Sequence, residues 1–485
     1  MKRSFKNLGE FIALLEKEGE LIRISKEVDA ELEITEITDR VSKSPDGGKA
    51  LLFENVKGSR MPVLINAFGS FKRMAMAMGD VSIEGAAGRI NELLAMKDRP
   101  KGLHETVKVL GKLVDLSKIP PRIVSNGACQ EIVIKDPKLS EIPILKCWPH
   151  DGGRFITLPL VITKDPDTGE RNVGVYRMHV YDDRTTGMHW QTQKDGAIHS
   201  EKRKRRGQKM EVAVVIGADP ATVFSGVVPL PYGLDEFLFS GFLRGAPVEL
   251  VRCKTVDIEV PAESEIVLEG IVDPADMRPD GPFGDPTGVY TPVELFPAFH
   301  IQCITMRKNP VYLTTIVGKP PMEDYYMGKA IEKTFLPILK KQLPELVDMN
   351  FPMEGTFNNA VIVSIDKNYP HQAKKVAHAI WGLGQLSFTK VVIIVDKTVN
   401  VHDVSAVALA VFNNIDPKRD IFFVEGPVDT LNHASPERDF GSKVGVDATA
   451  KMKEEGYTRT WPEEIQMDDT TKKKVDGMWK ELGIK

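Results

Sequence analysis

The middle of the chain constrains the fold most, because it is a long succession of short apolar segments separated by turn-forming stretches. Between residues 131 and 317 such segments are typical of strands, and one helix is predicted near Asp235–Leu243. Three of the strands are predicted to form a meander, over Phe155–Thr163, Asn172–Tyr181 and Gly187–Gln193. So many consecutive strands with short turns indicate a β-barrel or a compact sheet domain.

The sequences on both sides of this region alternate between helical and strand patterns. In the first helix the apolar residues Leu8, Phe11, Ile12 and Leu15 recur with helical spacing before Gly19. From Tyr325 onwards the alternation returns, as in a layer of β–α units. We therefore predict an α/β protein with a sheet domain inserted between two α/β parts.

The last segment of the chain predicts an amphipathic helix. Val475, Met478, Trp479 and Leu482 recur at helical spacing and would share one face. Such an apolar face must be covered by something. We expect it to pack against its own domain, and a neighbouring subunit is the alternative.

Charge and hydropathy exclude several classes of protein. The 64 basic and 68 acidic residues give a net charge of -4, which argues against a general nucleic-acid binder. The longest apolar run, Ala406–Phe412, is far shorter than the ~20 residues of a membrane span. No secretory signal is visible at the start, and the four cysteines are widely spaced. We expect a soluble, cytoplasmic enzyme with reduced thiols.

The basic run Glu201–Arg206 is the strongest charge cluster in the sequence. We interpret it as a solvated surface loop, and an anion-binding patch is the alternative.

The acidic loop, residues 279–288, carries Asp280 and Asp285 in a stretch that prolines stiffen and glycines open. A loop of this kind can hold a carboxyl group at a fixed place. A rigid, partly buried aspartate has a raised pKa and can deliver a proton. The alternative is an ordinary turn, since Asp-Gly and Asp-Pro sequences form turns readily.

Scattered polar residues on the predicted meander and helix offer ligands for a metal ion. Asn172, His189 and Glu236 would supply an amide oxygen, an imidazole nitrogen and a carboxylate, a set that suits Mn²⁺ or Mg²⁺. Arg177 lies five residues after Asn172, so a regular strand would turn their side chains to opposite faces. A bulge or a break in the strand is needed if both enter one site.

Lys390, at the start of an apolar strand, is either a phosphate-binding lysine or a solvated strand end. The sequence contains none of the common nucleotide-binding or hydrolase motifs.

Motifs spread along nearly the whole chain make it similar to the UbiD-like decarboxylases, which include the 4-hydroxy-3-polyprenylbenzoate decarboxylases of ubiquinone synthesis. Each motif is weak by itself, but the ordered set is specific. The matching segments are Leu32–Ile37, Ala50–Asn55, Cys147–Pro149, Asn172–Arg177, Leu243–Gly245, Asp280–Gly288 and Gly441–Thr449.

The resemblance implies a fold and an activity. The fold is α/β with a central split β-barrel (flavin-reductase-like). The predicted parts are an N-terminal α/β domain (1–120), the cofactor-binding barrel (121–320), a C-terminal α/β dimerisation domain (321–460) and a helical tail (461–485). The expected activity is non-oxidative, reversible decarboxylation of a hydroxybenzoate-type acid with prenylated FMN. That cofactor is held through Mn²⁺, often with K⁺ nearby.

Site residues follow from the same resemblance. It implies that Asp285 donates the proton after CO₂ loss, that Arg177 orients the substrate carboxylate and that Asp280 is a second acid beside it. The implied metal ligands are Asn172, His189 and Glu236. The remaining residues implied to contact the cofactor are Val175, Tyr176, Trp190, Gln191, Lys194, Asp195 and, near the phosphate, Lys390.

Two departures from the family pattern bear on the substrate. Many relatives carry glutamate where this chain has Asp280 and Asp285. The ubiquinone branch carries arginine at the position of His189, whereas branches that act on small phenolic acids often have His-Trp, as here. A small phenolic acid is therefore the alternative to a polyprenylated substrate, and carboxylation is the alternative direction.

Other classes of function and the expected partners complete the predictions. A non-catalytic subunit of a multi-subunit aromatic carboxylase and a redox flavoprotein with ordinary FMN are the competing functions. The expected partners are a flavin prenyltransferase that supplies the cofactor and further copies of the chain in a homodimer or homohexamer. A polyprenylated substrate would add peripheral contact with a membrane.

Overall fold

The computed structural model describes residues 4–80, 82–95, 117–192, 194–356, 359–463 and 465–483. Its N-terminal part is a small sheet with helices around it. The elements are α1 (Leu8–Lys17), β1 (Leu21–Ile24), α2 (Glu33–Ser42), β2 (Ala50–Phe53), β3 (Val63–Ile65), α3 (Phe71–Ala77) and α4 (Ile83–Ala95). The sequence dictates α1 directly, since Asn7 caps its first turn and the four apolar residues of the predicted stripe are buried.

The central part forms a large, mainly antiparallel sheet that curls into a half-barrel. The first half of this central part contains β4 (Arg122–Ile123), β5 (Ile132–Ile134), β6 (Phe155–Ile156), β7 (Leu160–Lys164), β8 (Arg171–Val175), β9 (Met178–Asp182), β10 (Thr185–Gly187), α5 (Asp195–Arg205), β11 (Met210–Ile216), α6 (Pro220–Ser225) and α7 (Glu236–Arg244). The rest are β12 (Glu249–Arg252), β13 (Glu259–Pro261), β14 (Ile266–Asp280), β15 (Phe283–Gly284), β16 (Tyr290–Thr291), β17 (Glu294–Met306) and β18 (Tyr312–Leu313).

Hydrogen bonds join the strands of the half-barrel into one sheet. The strand order is β6-β9-β10-β17-β14-β11-β7-β8, and β5 pairs with the C-terminal end of β17. The long strands β14 and β17 pair along nearly their whole lengths and carry the centre of the sheet. This arrangement confirms the predicted fold class, an α/β protein with a split barrel at its centre.

Three predictions for the central region are wrong in detail. Two further helices, α5 and α6, interrupt the strands. The sequence hides them because α5 is charged and lacks a clear apolar stripe, whereas every residue of α6 is buried. The third predicted strand of the meander ends at Gly187, so His189 lies beyond it. The short strand β18 pairs with β3 and belongs to the N-terminal sheet.

The basic run is also not a free loop. It forms the last turn of α5, where positive charge is favourable at the carboxyl end of a helix. Lys202 donates to Asp165 over 2.6 Å, and Arg206 pairs with Asp167. The neighbouring acids thus already neutralise part of this charge.

The C-terminal part contains a separate sheet of order β19-β20-β21-β23-β22. Its elements are α8 (Glu323–Gln342), β19 (Leu346–Asn350), β20 (Ala360–Ile365), α9 (Gln372–Trp381), β21 (Val391–Asp396), α10 (Val404–Asn414), α11 (Pro417–Asp420), β22 (Ile421–Pro427), β23 (Phe440–Asp447) and α12 (Asp469–Met478). The domain boundaries predicted from the sequence stay predictions.

The terminal helix α12 forms, but the expectation that it packs on its own domain is wrong. None of its residues is buried, and Trp479 and Leu482 just beyond it are about half exposed. Within the described residues, no helix is both long and apolar enough to cross a membrane.

Candidate active site

A cavity of about 600 Å³ lies between the half-barrel and the C-terminal part. Its walls include residues 172–177 around the end of β8 and residues 226–230 after α6. The acidic loop and the β22–β23 loop (residues 428–439) close other sides. Most of the residues that the sequence singled out therefore meet around one space.

Arg177 occupies the break between β8 and β9, which removes the conflict of strand parity with Asn172. Its guanidinium joins the two carboxylates of the acidic loop. Nη1 donates to Asp285 Oδ2 over 2.9 Å, and Nη2 and Nε donate to Asp280 Oδ1 over 3.0 and 3.2 Å. The ring of Phe283 lies 4.6 Å below the guanidinium carbon. Arg177 is thus held rigidly at the cavity wall.

Asp280 is the buried anchor of this network. It is the last residue of β14, and none of its surface is exposed. Burial opposes its ionisation, but the hydrogen bond with His189 and the charge of Arg177 hold the pKa of Asp280 below its usual value. The expectation of a raised pKa in the acidic loop is therefore wrong for Asp280. Arg177 and His189, which lie far from Asp280 in the sequence, more than offset the effect of burial on its pKa.

His189 is oriented by the same carboxylate. Its Nδ1 lies 3.1 Å from Asp280 Oδ1, and its ring packs 4.0 Å from that of Phe296. An ionised Asp280 can only accept, so Nδ1 carries the hydrogen and Nε2 keeps its lone pair. Burial and the charge of Arg177 lower the pKa of His189, which favours this neutral ring.

Another part of the cavity wall, the Glu236 end, carries acids that are not paired with a cation in this way. Glu236 begins α7, and its carboxylate accepts from the backbone N–H of Val173 over 2.9 Å. Burial, together with nearby acids that include Asp195, raises the pKa of Glu236 to about 8. Burial also raises the pKa of Asp195 and lowers that of Lys194 beside it. This end holds negative groups that no fixed cation fully balances.

Asn172 lies at this end with its side chain buried. Its Nδ2 makes no hydrogen bond of good geometry among the described residues, although the Tyr176 hydroxyl is close enough to interact with the Asn172 side chain. The described residues also contain no group of three or more His, Cys, Asp or Glu side chains arranged to hold a metal. A metal here would need the mixed set of Asn172, His189 and Glu236, which all line the cavity.

Not every predicted site residue reaches the cavity wall. Val175, Tyr176, Gln191, Lys194 and Asp195 line it. Trp190 is buried behind it, where its ring meets that of Tyr176 edge-on at 6.4 Å. Lys390 does not line the cavity either, but its Nζ donates to the cavity residue Asn432 over 2.9 Å.

Sequence reasoning missed the β22–β23 loop, which covers the cavity from the C-terminal part. Side chains join this loop to the half-barrel: Gln191 Nε2 donates to Thr430 Oγ1 over 3.1 Å, and Arg438 pairs with Glu294 at 3.0 Å. Asp324 on α8 is a further cavity residue that was missed. No motif marks these positions, because they meet the barrel only in the folded chain.

The comparisons with known proteins identify the family. Three family models match in order: the UbiD N-terminal domain over residues 12–93, the Rift-related domain over 122–320 and the C-terminal domain over 325–448. All three are described as belonging to 3-octaprenyl-4-hydroxybenzoate carboxy-lyase. The chain therefore belongs to the UbiD family.

Individual relatives cover the whole chain. An uncharacterized protein of Archaeoglobus fulgidus is 50% identical over 99% of both chains. The closed form of the vanillic acid decarboxylase of Sedimentibacter hydroxybenzoicus is 29% identical over 99% of both chains, with a TM-score of 0.86. The UbiD-class enzyme HmfF of Pelotomaculum thermopropionicum, in complex with FMN, is 30% identical over 96% of this chain and 98% of its own, with a TM-score of 0.79. An evolved dimeric form of HmfF is known in complex with prFMN. The predicted enzyme class, a carboxy-lyase, is confirmed.

Proposed function

We propose that this protein is a decarboxylase that uses prenylated FMN to remove CO₂ from a hydroxybenzoate-type aromatic acid. Asp285 donates the proton, Arg177 orients the substrate carboxylate and Asp280 fixes Arg177. The observation that carries the proposal is the Arg177 bridge between Asp280 and Asp285 at the cavity wall.

The cavity fits the cofactor and a divalent metal. The buried side-chain amide of Asn172 and the uncompensated carboxyl of Glu236 lie where a phosphate and a cation would satisfy both. His189 would suit a metal ligand, since Nδ1 donates to Asp280 and Nε2 keeps a lone pair for an ion. Asn172, His189 and Glu236 would hold Mn²⁺ or a similar ion, with Lys194 close to the phosphate. K⁺ as a further ion stays a prediction.

The residues of the chain supply the acid–base part of the reaction. Prenylated FMN, when bound, supplies an electron sink for the electron pair that CO₂ leaves behind. Arg177 presents a fixed positive charge that pairs with the substrate carboxylate. Asp285 then gives its proton to the carbon from which CO₂ has departed, and Arg177 stabilises the carboxylate that remains. Each step is reversible, so high CO₂ would drive the same site towards carboxylation.

The substrate we propose is a small phenolic acid. The Sedimentibacter relative acts on vanillic acid, and its closed form matches this chain with a TM-score of 0.86. The sequence His189-Trp190 agrees with this branch. A role in ubiquinone synthesis, with a polyprenylated substrate and peripheral membrane contact, is the alternative that substrate tests decide.

Two other functions are less consistent with the site. A non-catalytic subunit has no need to retain the acid and the arginine, yet Asp285 and Arg177 are both present and paired here. A redox flavoprotein with ordinary FMN would not need Asp285 as a proton donor beside Arg177. We further propose a homo-oligomer in the cytoplasm that receives its cofactor from a flavin prenyltransferase.

Expression with and without a flavin prenyltransferase tests the proposal. Each sample is examined by absorbance, native mass and CO₂ release from vanillate, 4-hydroxybenzoate and a short-prenyl analogue. We expect prenylated FMN and a divalent metal only in the co-expressed sample, together with CO₂ release that is fastest for an unprenylated acid. Binding of plain FMN with NAD(P)H oxidation, or of no flavin in either sample, would contradict it.

A further inference from the structure

A small cavity lies between the active-site cavity and a second, larger cavity, and it shares lining residues with both. This narrow passage, with a volume of about 10 Å³, begins beside Pro286 and Asp324, which also line the active-site cavity. That volume holds roughly one water molecule. The passage continues along Tyr325 and Lys329, which also line the second cavity, of about 540 Å³, between α4, α8 and the start of α10.

The second cavity has charged side chains on its wall and reaches solvent. Glu84 on its wall is exposed, and Lys333 and His402 contact each other there over 2.8 Å. Lys329, at the mouth of the passage, is neutralised by Glu332, with Nζ and Oε2 2.7 Å apart. Its charge is therefore compensated and does not block a proton that enters the passage.

Asp324 stands at the junction of the active-site cavity and the passage. It lies in the first turn of α8, where Oδ1 accepts from the backbone N–H of Tyr325 over 2.7 Å. Burial raises the pKa of Asp324 to about 7, and the nearby charges of Glu323 and Asp285 raise it further. Asp324 can thus carry a proton at neutral pH within electrostatic reach of Asp285.

The reaction itself requires such a carrier. Substrate enters as a carboxylate and leaves as CO₂ and a neutral carbon–hydrogen bond, so every turnover consumes one proton from solvent. Asp285 supplies that proton and ends ionised. In the proposed function, cofactor and substrate would occupy the active-site cavity beside Asp285 and would restrict access of bulk solvent to it.

We propose that Asp324 relays protons from the second cavity to Asp285, a role that rests on the proposed function. After each turnover the O–H bond of the Asp324 carboxyl breaks and an O–H bond forms on Asp285. The Asp324 carboxylate then takes a proton from the water of the passage, and that water regains a proton from solvent in the second cavity. Asp324 thereby acts on the reaction through Asp285.

Rapid-mixing kinetics on the prenylated-FMN-loaded enzyme test the relay, with vanillate and 4-hydroxybenzoate as probes. In Asp324→Asn we expect one product per active site at the wild-type rate, since the first proton comes from Asp285 itself and needs no relay. The following turnovers should be at least about 10-fold slower, within the range of general acid–base effects. Asp324→Glu should restore a linear time course, and Glu84→Gln, on the wall of the second cavity, should behave as wild type.

The outcomes separate the relay from the proposed function. A linear time course for Asp324→Asn, at any rate, would contradict the relay while wild-type CO₂ release still supports the decarboxylase. No CO₂ release by the wild type from either acid would contradict the function proposed for these substrates, and the relay with it.

A second measurement uses the cofactor-free protein and no substrate. Infrared difference spectra between neutral and alkaline pH should contain the C=O band of a protonated carboxyl group that Asp324→Asn removes and Asp324→Glu keeps. Retention of the whole band in Asp324→Asn would show that Asp324 carries no proton, and would overturn the proposal.

Discussion

The two ends of the active-site cavity differ in how their charges are balanced. At the Arg177 end, the guanidinium pairs with Asp280 and Asp285 over 2.9 to 3.2 Å, and every partner belongs to the chain. At the Glu236 end, a buried carboxyl has a pKa raised to about 8 and the Nδ2 of Asn172 makes no hydrogen bond of good geometry among the described residues. The first end is complete in the protein alone, whereas the second has buried polar groups that the proposed cation and phosphate would complete.

This difference assigns separate tasks to the two ends. Preorganised charges at the Arg177 end can act on the substrate without rearrangement, which is how polar sites assist reactions most effectively. In our proposal the Glu236 end anchors the cofactor through a metal ion, whose binding would favour the ionised form of Glu236. His189 links the two, since Asp280 fixes its ring while the ring faces the cavity.

Arg177→Met breaks the complete end and should have the largest effect. It leaves the fully buried Asp280 carboxylate without its cation, so we expect a loss of about 3–5 kcal/mol in the free energy of unfolding. CO₂ release by the folded fraction should fall at least about 100-fold, because the substrate carboxylate loses its partner. Urea unfolding and CO₂ release measure the two effects.

Arg244→Met is the matched control for this variant. Arg244 is as little exposed as Arg177, at 10%, and pairs with buried Asp219 over 2.8 Å, outside the active-site cavity. We expect it to lose stability while the folded enzyme keeps its activity. Equal loss of activity in both variants would mean that Arg177 acts only through stability.

Glu236→Gln tests the incomplete end and should have a smaller effect. A buried carboxyl with a pKa near 8 is mostly uncharged at neutral pH, so a neutral amide should change the metal-free stability by less than about 1 kcal/mol. Mn²⁺ affinity in the presence of FMN should fall at least about 10-fold. Calorimetric titration with Mn²⁺ and thermal unfolding provide these values.

Glu265→Gln controls for the loss of any buried glutamate. Burial raises the pKa of Glu265 to about 7, and its carboxylate accepts from Val311 N–H over 3.0 Å, away from the cavity. Its Mn²⁺ affinity should equal that of the wild type. A wild-type affinity in Glu236→Gln as well would remove Glu236 from the metal site.

Local patterns predicted much of the fold. The apolar spacing in α1 and the apolar strands of the centre and the C-terminal part determine their own elements. The charged helix α5 was missed since it lacks an apolar stripe, and β18 was misplaced because its partner β3 is some 250 residues away in the chain. Such pairings depend on the completed fold and leave no local signal.

Only the site residues that lie in recognisable motifs could be predicted from the sequence. The motif resemblance identified Arg177, Asp285 and Glu236 as members of one site, and the structure brings them to one cavity. The pairing of His189 with Asp280 joins residues 91 positions apart, and the β22–β23 loop contributes polar residues without a recognisable motif. These contacts arise from packing between strands and domains, which spacing along the chain does not encode.

The central claim is that Asp285 protonates the carbon that CO₂ leaves. We would measure cofactor content and CO₂ release of wild type and Asp285→Asn, both co-expressed with a flavin prenyltransferase. The account predicts equal prenylated FMN in both proteins and a loss of turnover of about 100- to 10,000-fold in the variant. Wild-type turnover in Asp285→Asn with a full complement of cofactor would contradict the account.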